Sequence, residues 1–147
     1  MRHTIALFAI IVFTAFGAYA SQKGSSPPVS VHIAPLDTTS DLFYFRGPIG
    51  LRYGVEVSNP SNETITLRRL DLHSFGGGAY ALRANSTPMK VQIPPGGAKT
   101  FSISTWGRAR GGFINSGEPV ILQGTAYFDG PKGPFVKLFQ ENVVPNP

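Results

Sequence analysis

The sequence predicts an all-β domain, an immunoglobulin-like or fibronectin-type-III-like antiparallel β-sandwich of about seven to nine strands. Three observations point to this class. Apolar residues alternate with polar ones at a period of two, turn residues separate these runs at intervals of roughly 8 to 12 positions, and no amphipathic helical pattern of useful length interrupts them.

The alternation begins at Val29, Val31 and Ile33 and stops at Pro35. A short apolar run, Leu42-Phe-Tyr-Phe45, leads to a break at Gly47-Pro48. Leu51, Tyr53, Val55 and Val57 then alternate with Arg52, Gly54, Glu56 and Ser58, the clearest strand in the chain. Asn59-Pro60-Ser61-Asn62 ends it, because proline removes a ladder donor and asparagine tolerates a tight reversal. From Glu63 to His73 the chain is extended again, but Ile65 and Leu67 have one parity and Leu70 and Leu72 the other. A β-bulge at Arg68-Arg69 would bring both pairs to the core.

Beyond the loop Ser74-Phe-Gly-Gly-Gly78, Ala79 to Arg83 reads as a short strand and Asn85-Ser-Thr-Pro88 as a turn. Met89, Val91 and Ile93 form the next strand, Pro94-Pro-Gly-Gly97 the next reversal, and Phe101 and Ile103 the strand after it, as successive hairpin-like units. Alternation then lapses from Thr105 to Glu118, which reads as a long irregular loop. It resumes at Val120, Leu122, Gly124, Ala126 and Phe128, turns at Asp129-Gly-Pro-Lys-Gly133 and ends with Pro134 to Phe139, a long antiparallel hairpin.

Ahead of the fold lies a different kind of segment. Arg2 and His3 precede an apolar run from Ile5 to Phe16, followed by Ala18-Tyr19-Ala20, the small-x-small pattern of a cleavage site. Residues 1–20 therefore read as a signal peptide cleaved after Ala20, 21–28 as a flexible leader, 29–144 as the sandwich and 145–147 as a tail. The expected destination is the periplasm or the extracellular space, with no integral membrane segment in the mature chain. Absence of cysteine excludes disulfides and a lipid-modified cysteine at the cleavage site, so packing has to supply the stability. Discounting Arg2 lowers the net charge from +5 to +4. A basic surface outside the cytoplasm suits anionic partners or simply keeps the domain soluble, and so modest a charge on an exported chain argues against nucleic acid.

Several segments together resemble the type 2 late embryogenesis abundant domain, also called the water-stress and hypersensitive response domain. They are Val55-Glu-Val-Ser-Asn-Pro60, Ile65-Thr-Leu, Leu70-Asp-Leu, Pro88-Met-Lys-Val-Gln-Ile-Pro94-Pro-Gly-Gly97, Phe101-Ser-Ile and a closing strand entered through Gly124, within residues 45 to 140. The resemblance implies a non-enzymatic sandwich that protects proteins or an envelope component during stress.

No catalytic constellation stands out. There is no Gly-x-Ser-x-Gly elbow, the eight acids are scattered, and no cofactor motif is present. Asp71 and His73 share a strand face, yet two residues fall short of a metal site, and His32 would have to join them by the accident of the fold. Two N-glycosylation sequons, Asn62-Glu-Thr64 and Asn85-Ser-Thr87, fall in expected turns. The strongest binding candidates are Trp106, Arg108, Arg110 and Phe113, where guanidinium groups beside aromatic rings suit an anionic envelope polymer or a partner protein. In the competing arrangement Trp106 plugs one end of the core and the arginines are merely solvated.

Overall fold

The alternating runs become eight strands in a computed structural model, which describes residues 27–37, 46–112 and 117–144. They are β1 (Ser30–Pro35), β2 (Gly47–Asn59), β3 (Ile65–Phe75), β4 (Tyr80–Leu82), β5 (Asn85–Ile93), β6 (Gly97–Ala109), β7 (Val120–Gly130) and β8 (Gly133–Val143). Two four-stranded antiparallel sheets result, ordered β1-β2-β6-β4 and β5-β3-β7-β8. This is the immunoglobulin-type arrangement of two facing sheets, with β4 drawn from the connection between β3 and β5. The residues assigned to a signal peptide lie outside the described residues, and no helix among the latter is long and apolar enough to cross a membrane.

The inner faces are filled as the period predicts. Tyr53, Val55, Val57, Ile103 and Tyr80 of the first sheet meet Ile65, Leu67, Leu70, Ile93, Leu122 and Phe128 of the second in one core. Opposite parities of Ile65/Leu67 and Leu70/Leu72 are reconciled by the expected bulge: the register of β3 shifts between Leu67 and Arg69 against both neighbours, and all four leucine and isoleucine side chains are buried. The last two strands pair from Val120↔Val143 to Gly130↔Gly133, and Phe128 stacks on Phe135 with centroids 5.1 Å apart.

Four expectations are corrected. Gly47-Pro48 does not break the chain but opens β2, opposite Ala109 and Arg108. Asn85-Ser-Thr-Pro88 is not a turn: it begins β5 and pairs with Leu72 to Arg69, Pro88 being tolerated because β5 is an edge strand. Strands β5 and β6 do not form a hairpin, since the chain crosses between sheets at Pro94 to Gly97. A two-residue period reports which face is buried but not which neighbour is hydrogen-bonded, so such a crossing looks like a hairpin in sequence. Fourth, Trp106 stands within β6 and not in a loop.

Gly124 is the one inward position of β7 that must lack a side chain. An added Cβ would lie 2.1 Å from the ring of Phe139, which folds across the glycine from β8. Gly124→Ala is expected to push that ring outward and cost about 1–3 kcal/mol, measurable as a lower urea midpoint, whereas Gly50→Ala, with open space around its Cβ, should leave the midpoint nearly unchanged.

Candidate functional site

Trp106 and Arg108 belong to a strand, not to the long loop expected between Thr105 and Glu118. β6 continues through Ala109, pairing Trp106 with Gly50 and Arg108 with Pro48 on one side and with Ala81 on the other. The alternation is present but disguised, because the inward residues Thr105, Gly107 and Ala109 are small or polar. Gly107 is small by necessity: a Cβ there would stand 2.8 Å from Cδ1 of Leu51 and 3.1 Å from the carbonyl oxygen of Ala81.

Outward parity on β6 therefore falls to Thr100, Ser102, Ser104, Trp106 and Arg108. Trp106 is 71% exposed, so it does not plug the core. Its indole stands beside Gly50, which has no side chain to cover it. On the other flank a shallow depression is lined by Arg83, Ala84, Asn85, Ser104, Thr105 and Trp106. The lip of this depression is fixed by Asn85, whose Nδ2 donates to Oγ1 of the buried Thr105 at 3.1 Å. Arg83 was missed from sequence because only the pairing of Leu82 with Gly107 and Ala81 with Arg108 brings the end of β4 to Trp106.

Electrostatics separates this face from the other one. On the second sheet Arg68 pairs with Asp129 at 3.2 Å, while Arg69 pairs with Asp71 at 3.2 Å and lies 3.8 Å over the ring of Tyr127. On the Trp106 face itself, Arg52, opposite Ser104, is neutralised: its Nη2 lies 2.6 Å from Oδ1 of Asp37, and the hydrogen bond holds the carboxyl below its usual range and the guanidinium above its own. Arg83 and Arg108, by contrast, have no carboxylate partner among the described residues.

The remaining candidates divide. Arg110 shares the outward parity of Arg108, but its Nη2 donates to the Gly76 carbonyl at 3.1 Å and its backbone N–H to the Ala79 carbonyl at 3.1 Å, so it ties the end of β6 to the glycine-rich loop. Phe113 lies outside the described residues. Asp71 and His73 do share the outer face of β3, but Asp71 is taken up by Arg69 and by Ser86 Oγ at 2.6 Å. His32 lies in the other sheet, 2.9 Å from Glu141, and no metal-binding cluster occurs among the described residues. Of the sequons, Asn62 is exposed in its turn, whereas Asn85 is built into β5.

Fold and face together define a two-sheet β-sandwich carrying one exposed tryptophan beside guanidinium groups that have no acid partner among the described residues. No protein-family model matches the chain, and no curated protein matches it. Solved structures are similar in fold. One is a protein from Archaeoglobus fulgidus, 12% identical with a TM-score of 0.51, the match covering 77% of this chain and 91% of that one. Another is described as the putative ApaA protein from Bordetella pertussis, 17% identical with a TM-score of 0.50 and coverage of 83% and 94%. At such identities the likeness extends to the sandwich fold alone.

Proposed function

We propose that this protein is an exported, non-enzymatic binding module that recognises an anionic ligand on the outer face of β6, through Trp106, Arg108 and Arg83. The observation that carries this reading is the exposure of Trp106 in mid-strand between two guanidinium groups that no carboxylate neutralises among the described residues. An unneeded tryptophan on a solvated sheet face contributes nothing to the core, whereas an aromatic ring beside arginines is the usual composition of a binding hot spot. Export rests on the sequence of residues 1–20.

A stress-protective role is implied only by the type 2 late embryogenesis abundant resemblance, and the motifs carrying it have structural duties. Asn59 Nδ2 donates to the carbonyls of Glu63, Ile93 and Pro94, so the Asn-Pro and Ile-Pro-Pro-Gly segments are parts of one hydrogen-bonded corner. They speak for the fold more than for protection.

Because Trp106 is the single tryptophan in the sequence, its fluorescence reports directly on the face. Titration with dextran sulfate and with polyglutamate is expected to change the emission with at least one of them, less at high salt. Arg83→Ala combined with Arg108→Ala should weaken that binding at least about tenfold, as loss of charge-assisted hydrogen bonds does. Arg110→Ala should have a smaller effect. Unchanged emission with every polyanion would overturn the proposal.

A further inference from the structure

Building on that reading of the Trp106 face, we infer that its ligand is an acidic polysaccharide, a chain of pyranose rings carrying carboxylates. Charge complementarity sets the sign: Arg83 and Arg108 flank the indole without acid partners among the described residues, Asp37 on the same face is neutralised by Arg52, and Glu56 lies toward the far end of the sheet, opposite Thr100. The chemistry of the floor then chooses among polyanions.

From Trp106 toward the other end of β6 the outward positions are Ser104, Ser102 and Thr100, all exposed. Alternate residues of a strand stand roughly 6.6–6.8 Å apart, so these side chains form a row of hydroxyls leading up to the indole. Each hydroxyl both donates and accepts, as sugar hydroxyls require of a partner. Along β2, Gly50 lies opposite Trp106, Arg52, paired with Asp37, opposite Ser104, and Gly54, covered by the Leu36 side chain, opposite Ser102, so the open ground is at the Trp106 end of the row. A pyranose ring offers a flat face of C–H groups to the electron-rich face of an indole, and Gly50 leaves room beside Trp106 for that approach. A uronate carboxylate extending from such a ring can be received by a guanidinium on either side.

A peptide fits this surface less well. Extended peptides gain affinity by adding a strand to a free sheet edge, and β6, paired with β2 from Gly97 to Ala109, is covered on its other side by β4 only from Gly107 to Ala109. A strand added to that edge would bind through the main chain and leave the outward hydroxyls of Ser102 and Ser104 unused. The outer face of β6 also lacks pockets for alternating apolar side chains, Trp106 being its only large apolar residue.

The test uses the mature chain and Trp106 fluorescence, with oligogalacturonate as the probe, its methyl-esterified form as the uncharged analogue, polyglutamate of matched charge, and vesicles containing phosphatidylglycerol. Oligogalacturonate is expected to bind at least about tenfold more tightly than either its ester or polyglutamate. Ser102→Ala with Ser104→Ala, both exposed and without a fold role, should weaken oligogalacturonate about three- to tenfold and leave polyglutamate unaffected. Equal or tighter binding of polyglutamate or of the vesicles would overturn the polysaccharide assignment while leaving anion recognition standing. Failure of every polyanion, dextran sulfate included, would remove both.

Discussion

Raising the pH above about 10 is expected to destabilise this sandwich steeply, and the cause is a pair of phenols in its core. Tyr53 and Tyr80 are buried between the sheets, and the Tyr53 hydroxyl donates to the Tyr80 oxygen at 2.8 Å. Burial raises the pKa of both, with the charge and hydrogen bond of Tyr80 adding to the effect on Tyr53. The unfolded chain loses these protons near pH 10, whereas the folded chain holds them to higher pH. The stability the neutral phenols contribute is therefore complete below pH 10 and lost as the pH rises, at up to about 1.4 kcal/mol per pH unit for a phenol that stays neutral in the fold. For Tyr53 that is roughly 3 kcal/mol by pH 12, a large share of ordinary domain stability, and Tyr80 adds to it. Urea unfolding between pH 8 and 12 measures it. Tyr53→Phe with Tyr80→Phe should flatten most of the slope and cost less at pH 8 than Tyr53→Phe alone, which strips one hydroxyl of its partner. An equally steep loss in the double variant would refute this origin.

The tyrosine pair also shows where sequence reading reaches its limit. Tyr53 was legible as a core residue because it sits in an unbroken alternation from Leu51 to Val57. That it meets Tyr80 was not, because the contact depends on β4 joining the far side of β6, and a three-residue strand carries too little pattern to reveal its partner. The bulge at Arg68 was legible for the opposite reason: a parity change within one continuous strand has few other solutions.

The binding face was legible in composition and not in geometry. Trp106 and Arg108 stand out in the sequence, but their strand was hidden by Gly107, whose missing side chain broke the apolar rhythm that identifies strands. Reading the segment as a loop grouped Arg108 with Arg110 and Phe113, neighbours in sequence. The sheet instead groups Arg108 with Arg83, twenty-five positions earlier, because antiparallel pairing of β4 with β6 overrides sequence proximity. Arg110 turns to the carbonyl of Gly76.

Asn59 is the second residue whose loss should be felt across the molecule. It is fully buried at the end of β2, next to Pro60, and its side chain serves five hydrogen bonds. Nδ2 donates to the carbonyls of Glu63 at 2.8 Å, Ile93 at 3.2 Å and Pro94 at 3.1 Å, while Oδ1 accepts from the backbone N–H of Ser61 at 3.2 Å and its hydroxyl at 2.6 Å. One amide thereby joins the β2–β3 turn to the β5–β6 crossing, a junction reinforced by the Gly96 N–H donating to the Ser61 carbonyl at 3.0 Å. Asn59→Ala leaves buried carbonyls without donors and is expected to cost about 3 kcal/mol. Asn59→Asp is the sharper probe, because it keeps the shape but aims a carboxylate at three carbonyl oxygens. At pH 7 it should be more damaging than the alanine. Below about pH 4 it should recover partly, since the carboxyl is neutral there and can donate to one carbonyl, so stability present in acid is lost as the pH rises. Urea midpoints of both variants at pH 7 and at about pH 4 decide it. If Asn59→Asp is no worse than Asn59→Ala at neutral pH, the three carbonyls do not converge on the amide as drawn, and the corner is held by Pro60 and Pro94 alone.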